Sequence, residues 1–136
     1  MTDDSASLPL HRDPRIIDAA VAALAQLRER ASTSVGLMLT DDGFEIARNP
    51  GAESADMRLA SMSSSLQALS EAIARELDLG QTRFALVDAA EGHVLLMRVP
   101  DREIVLAVVF DERNTLGIVL SATRHVVAEF GAAIAD

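Results

Sequence analysis

Three stretches of the chain carry apolar residues at helical spacing, and five short apolar runs lie between them. In the first stretch Asp13 is placed to cap a helix and Pro14 suits its first turn. Ile17, Val21, Leu24 and Leu27 follow at intervals of three and four, and Arg28 and Arg30 favour the C-terminal end of the dipole. This predicts a helix over 13–30. The run Val35-Gly36-Leu37-Met38-Leu39-Thr40 reads as a buried strand. Asp41-Asp42-Gly43 turns the chain, with glycine where positive φ is needed, and Phe44, Ile46 and Arg48 return as the second strand of a hairpin. Asn49-Pro50-Gly51 stops it.

The second helical stretch is the longest. Ser54 is placed to cap it, Leu77 closes it and Gly80 lies just past its end, about 23 residues or about 35 Å. Leu59, Met62, Leu66, Leu69, Ile73 and Leu77 form a stripe of large residues. Ala60, Ser64, Ala68 and Ala72 form a second row that is entirely small and would let another backbone approach closely. Three strands are then expected at 83–87, 93–99 and 103–110, joined by turns at 88–92 and 100–102. The last of them is almost wholly Val, Ile, Leu and Ala, so it should be central and covered on both faces. Links this short impose antiparallel neighbours. A final helix over 115–133 presents Val119, Ala122, Val126 and Phe130 on one face.

The order α-β-β-α-β-β-β-α places the chain in the α+β class. It implies a five-stranded antiparallel sheet between two helical layers, with the terminal helices on one face and the middle helix on the other. Residues 1–12 read as a loose acidic tail, and 13–136 as one domain.

Composition then narrows the functions open to such a fold. The 136 residues are 49% hydrophobic but only 3% aromatic, so the core is aliphatic and no aromatic platform is available for stacking bases or sugars. Cysteine is absent, which removes disulfides, thiol nucleophiles and thiolate zinc sites. All twelve basic residues are arginine. Without lysine the chain can be neither an ordinary P-loop NTPase nor a Schiff-base enzyme. A net charge of −9 argues against nucleic acid and anionic membranes as partners. The N-terminus lacks an apolar signal segment and no run is long enough to span a bilayer, so a cytoplasmic protein without membrane insertion is expected.

Few side chains suggest chemistry. His11, His93 and His125 show no zinc-motif spacing. Ser61, Ser63, Ser64 and Ser65 lack a nucleophile elbow and suit helix packing. Asp41 and Asp42 lack the remaining oxygens of a calcium loop and read as turn residues. Gly117, at a helix start, suits close helix–sheet packing better than anion binding. Arg48, Arg58, Arg83 and Arg98 read chiefly as solvated cations, one of which could reach a partner's acidic surface or act as an arginine finger. No catalytic residue, metal or cofactor is expected, and the chain reads as a non-enzyme.

The hairpin Gly36-Leu37-Met38-Leu39-Thr40-Asp41-Asp42-Gly43-Phe44, the middle helix over 55–77 and the closing Asn114-Thr115-Leu116-Gly117 together resemble the Roadblock/dynein light-chain family, including its bacterial MglB-like members. The resemblance covers about residues 13–133. It implies a profilin-like three-layer fold and a dimer in which middle helices pack together and sheets join at an edge. It also implies a non-enzymatic regulator or scaffold for a small Ras-like GTPase. The acidic tail and the lack of a long C-terminal extension are departures from the family pattern. The middle helix independently carries more apolar and small surface than one sheet can cover, which points to the same contact. The expected dimer interface comprises Leu59, Ala60, Met62, Ser63, Leu66, Leu69, Ile73 and Arg83. Homodimer is the first expectation, with a heterodimer left open. The alternative is a profilin- or PAS-like small-molecule sensor with an apolar cavity between sheet and helix.

Overall fold

The computed structural model describes residues 8–32, 35–49 and 58–135. After a single 3-10 turn at Leu10–Arg12, the elements are α1 (Pro14–Arg30), β1 (Val35–Thr40), β2 (Glu45–Arg48), α2 (Arg58–Glu76), β3 (Ala85–Ala89), β4 (Gly92–Arg98), β5 (Ile104–Phe110) and α3 (Leu116–Ala133). The strands form one antiparallel sheet in the order β2-β1-β5-β4-β3. The three-layer α+β sandwich expected from the sequence is the observed fold. β5 is central, and every residue of it except Val109 is buried.

Local chemistry explains the boundaries. The Asp13 side chain accepts from the Arg15 amide and caps α1, and the Thr115 hydroxyl accepts from the Ile118 amide and caps α3. Gly43, at φ +91°, closes the β1–β2 turn, where the Thr40 hydroxyl also accepts from the Phe44 amide. α2 ends on Asp78 rather than Gly80. Asp78 takes φ +57°, its amide bonds back to the Arg75 carbonyl, and the Leu79 amide bonds to that of Ala74. This is the two-bond Schellman closure, with aspartate at the left-handed position that glycine usually fills. The β3–β4 turn is tighter than expected, because Ala89 already pairs with Gly92.

Register fixes which residues face which helices. β1 and β5 pair as Met38↔Leu106 and Leu39↔Val105, so Met38 and Leu106 share one face and Leu39 and Val105 the other. The first face is sealed by α1 and α3 around Leu24, Leu27, Val126 and Phe130. The face of α1 turned inward is Ile16, Ala20, Ala23, Leu24 and Leu27. Val21, expected in the core, is exposed, and Ile17 packs only at its margin. Small alanines at 20 and 23 let α1 lie close to the sheet, which the spacing of large residues alone did not reveal. On α3 the expected inward residues Val119, Ala122, Val126 and Phe130 are all buried. At Gly117, by contrast, an added Cβ would meet nothing closer than the Thr115 hydroxyl at 4.0 Å, so no close helix–sheet contact requires glycine there.

The 3-10 turn packs the end of the supposed tail onto the domain, where the His11 ring stacks on Phe44 with centroids 4.4 Å apart. Residues 1–7, and the expected start of the middle helix at Ser54, lie outside the described residues.

Candidate functional site: the outer face of α2 and the β3 edge

α2 lies on the second face of the sheet, over Leu37, Leu39, Leu96, Val105 and Ala107. Its inward row is Ala60, Ser63 and Gln67, at 5%, 4% and 1% exposure. Small side chains bring the helix close, and the Gln67 amide nitrogen is met by Glu71 at 3.0 Å. Leu59 and Leu66 lean onto the same cluster and are half-buried.

The rest of the large stripe faces away. Met62, Leu69, Ile73 and Leu77 are 61%, 58%, 52% and 62% exposed, an unusual load of aliphatic surface on one helix face. The stripe read from the sequence is therefore divided: Leu59 and Leu66 serve the chain's own core, whereas Met62, Leu69 and Ile73 point outward. Ala60 and Ser63 have almost no surface left to offer outside the chain. Arg83 is exposed beside the start of β3.

β3 continues this surface. It pairs only with β4, and four of its five residues are exposed, Leu86 and Val87 among them. Its outer backbone groups are unpaired within the sheet, and such an edge is a template for further strand pairing. Leu86, Val87 and Leu79 belong to the exposed apolar set although the sequence reading did not assign them to an interface. The continuous β3 edge was the signal for the first two.

Two contacts fix the rotation of α2 about its axis. Near its start, Gly43 abuts the helix: a Cβ there would lie 3.1 Å from the Ser61 Cα. Near its end, Glu71 meets Arg98 from the end of β4. Arg98 Nε and Nη2 donate to the two Glu71 oxygens at 2.6 and 2.9 Å. Its Nη1 donates to Asp41 at 2.8 Å and to the Arg102 carbonyl at 3.0 Å. One guanidinium thus joins α2, the β1–β2 turn and the β4–β5 turn. The Arg98 hydrogen bond, against a smaller opposing effect of burial, holds the Glu71 carboxyl below its ordinary pKa; the bond to Glu71 raises that of Arg98. Arg98 is therefore a partly exposed cation committed to Glu71 and Asp41 rather than held out to a partner as a finger. A lone charge closing an inward-facing apolar strand was the sequence sign of such a partner.

The remaining candidates have local roles. Ser61 and Ser64 hydroxyls donate to the carbonyls of Arg58 and Ser61, as helical serines do. Asp42 accepts from Thr40 at 2.6 Å within the turn. His93 Nδ1 lies 2.9 Å from Asp88, and His125 Nε2 lies 2.7 Å from Arg30 and 3.1 Å from Glu129. Among the described residues no three His, Asp or Glu side chains are grouped to hold a metal ion, and no helix is long and apolar enough to cross a membrane.

A small α+β domain with a profilin-like sheet, whose most distinctive surface is an apolar helix face beside an open strand, belongs to the class of binding and regulatory modules. Residues 24–110 match the Roadblock/LC7 domain, and the chain belongs to that family. Among solved structures it is similar to Myxococcus xanthus MglB, at 21% identity and TM-score 0.77, over 89% of this chain and 95% of that one. It is similar to the gliding protein MglB of Thermus thermophilus at 17% identity and TM-score 0.76, over 87% and 90%. Acanthamoeba castellanii profilin II shares the fold at 12% identity and TM-score 0.61, over 84% and 95%. No curated protein matches the chain by sequence.

Proposed function

We propose that this chain is a dimer-forming, non-enzymatic regulator that binds a small Ras-like GTPase and modulates its nucleotide cycle. The observation that carries the reading is the outward stripe Met62, Leu69, Ile73 and Leu77 beside the open β3 edge. A second copy related by a two-fold axis would cover both at once, stripe on stripe and edge beside edge. Fully burying a Leu, Ile or Met is favourable by about 1.5–3 kcal/mol, so four half-exposed side chains on each of two copies supply a substantial drive. In this proposed interface Leu59 and Leu66 contribute their exposed flanks, Arg83 lies at the rim, and Ala60 and Ser63 act indirectly by seating the helix. One solved relative is described as MglB with tetrameric arrangement, so copies of that protein do assemble. The Roadblock resemblance supports the GTPase as the further partner, with the homodimer as its docking platform in the cytoplasm.

The test is titration of the full chain against each Ras-like GTPase of its source organism, loaded in turn with GDP and with a non-hydrolysable GTP analogue. Binding that differs between the two loaded forms supports the proposal. Failure of every such GTPase to bind in either form overturns the GTPase assignment and leaves the dimer to be judged separately.

A further inference from the structure

A groove of about 1420 Å³ lies at the end of the sheet where α2 finishes. Its walls are the α2–β3 connection, the β4–β5 turn and the outer side of α3. Five of the chain's twelve arginines line it, in a protein of net charge −9. Arg98 is consumed by Glu71 and Asp41. Arg75, Arg83, Arg102 and Arg124 come from four different segments and line the groove; among the described residues their side chains form no ion pair or side-chain hydrogen bond, although the charge of Arg75 helps to lower the pKa of Glu71. Asp78, Asp101 and Glu103 line it too.

We infer that this groove is a docking site for an extended acidic peptide segment of a protein partner, one that alternates carboxylates with an apolar side chain. The mixed lining selects that occupant. Carboxylates of the peptide pair with the four guanidinium groups, which are suited to planar two-point contact. Asp78, Asp101 and Glu103 would repel an unbroken run of carboxylates as well as a compact anion, so the peptide's amide N–H groups and apolar side chains face them and its carboxylates face the guanidinium groups. Leu79 is 69% exposed, and with Pro100 it offers an apolar foothold between the charges. The volume exceeds that of an ordinary small-molecule pocket, about 300–1,000 Å³, and suits several residues of chain. Arg83 is shared with the rim of the proposed dimer contact, so the groove is tested at Arg102, on the β4–β5 turn, and at Arg124, on α3.

The experiment uses the full chain and a fluorescein-labelled peptide of repeated Glu-Glu-Leu, followed by fluorescence anisotropy at low and moderate salt. The controls are a Lys-Lys-Leu peptide of equal length and competition by inorganic phosphate. The expected result is binding of the acidic peptide that weakens with salt and falls on the order of tenfold in each of Arg124→Glu and Arg102→Glu. Arg113→Glu, outside the groove, should leave it unchanged. Sedimentation of each variant confirms that assembly is not what has altered. Four results overturn the inference: no binding, preference for the basic peptide as the overall charge alone dictates, indifference to both groove reversals, or displacement by millimolar phosphate as though the groove took any small anion.

Discussion

The two faces of the sheet are built to different standards of closure. On the α1/α3 face, 22 buried residues interlock in one cluster; on the α2 face the corresponding described cluster has six. The first face is finished within a single chain. The second rests on a helix whose buried row is Ala60, Ser63 and Gln67, flanked by half-buried Leu59 and Leu66, while Met62, Leu69, Ile73 and Leu77 look outward. A helix spends its large residues where burial is most favourable, and this inversion is the observation behind the proposed second copy. On the proposed reading, the core face sets stability and the α2 face sets association.

The sharpest way to break that division is to empty the core face. Phe130→Ala should destabilise the fold by about 3–5 kcal/mol, read from denaturant midpoints, because the ring is 2% exposed and its neighbours cannot collapse into the space. The reciprocal change is Ile73→Glu or Leu69→Glu. Each should weaken self-association at least on the order of a hundredfold, since it buries an unpaired charge in the proposed contact, while changing monomer stability by no more than about 0.5 kcal/mol. Loss of folding in either variant would mean that the outer stripe serves the chain itself.

Smaller effects sharpen the comparison. Gly36 lies on β1 under α1, where a Cβ would come within 2.6 Å of Asn49 Oδ1 and 3.0 Å of Leu24 Cδ2. Asn49 is fixed there, because its amide nitrogen donates to the Leu24 carbonyl. Gly36→Ala should therefore cost about 1–3 kcal/mol in thermal or chemical denaturation. The smallest expected change is at the Arg98 cluster. Glu71→Gln removes a partly exposed ion pair, worth about 1 kcal/mol or less after solvent screening. Because the folded-state pKa of Glu71 is depressed, its contribution is present in full above the ordinary glutamate range. It fades as pH falls through the lowered value. An acid titration of stability should accordingly lose a small increment at low pH in the parent chain, and that increment should vanish in Glu71→Gln.

The sequence spelled out one side of this asymmetry better than the other. Caps, turns and strand order were legible because Asp13, Gly43, Thr115 and the short links each permit few conformations. The inward face of the last helix was read correctly because Val119, Ala122, Val126 and Phe130 recur at helical spacing, even though Leu116 and Ile118 lie exposed. On α1 and α2, small residues take the inward positions, and a rule that follows large side chains misses a helix seated by alanine and serine. Thus Val21 was placed inside, and Ala60 and Ser63 were placed at an interface. Arg98 was legible as a charge but not as a bond, because its partners lie 27 and 57 residues away along the chain. The groove arginines were dispersed over four segments and met only in the folded state.

Sedimentation velocity of the full chain, compared with Ile73→Glu over a wide concentration range, tests the claim that the outer face of α2 is covered by a second copy. The parent should sediment as a dimer and the variant as a folded monomer. A parent that stays monomeric and stable throughout, or a variant that dimerises equally well, would contradict it.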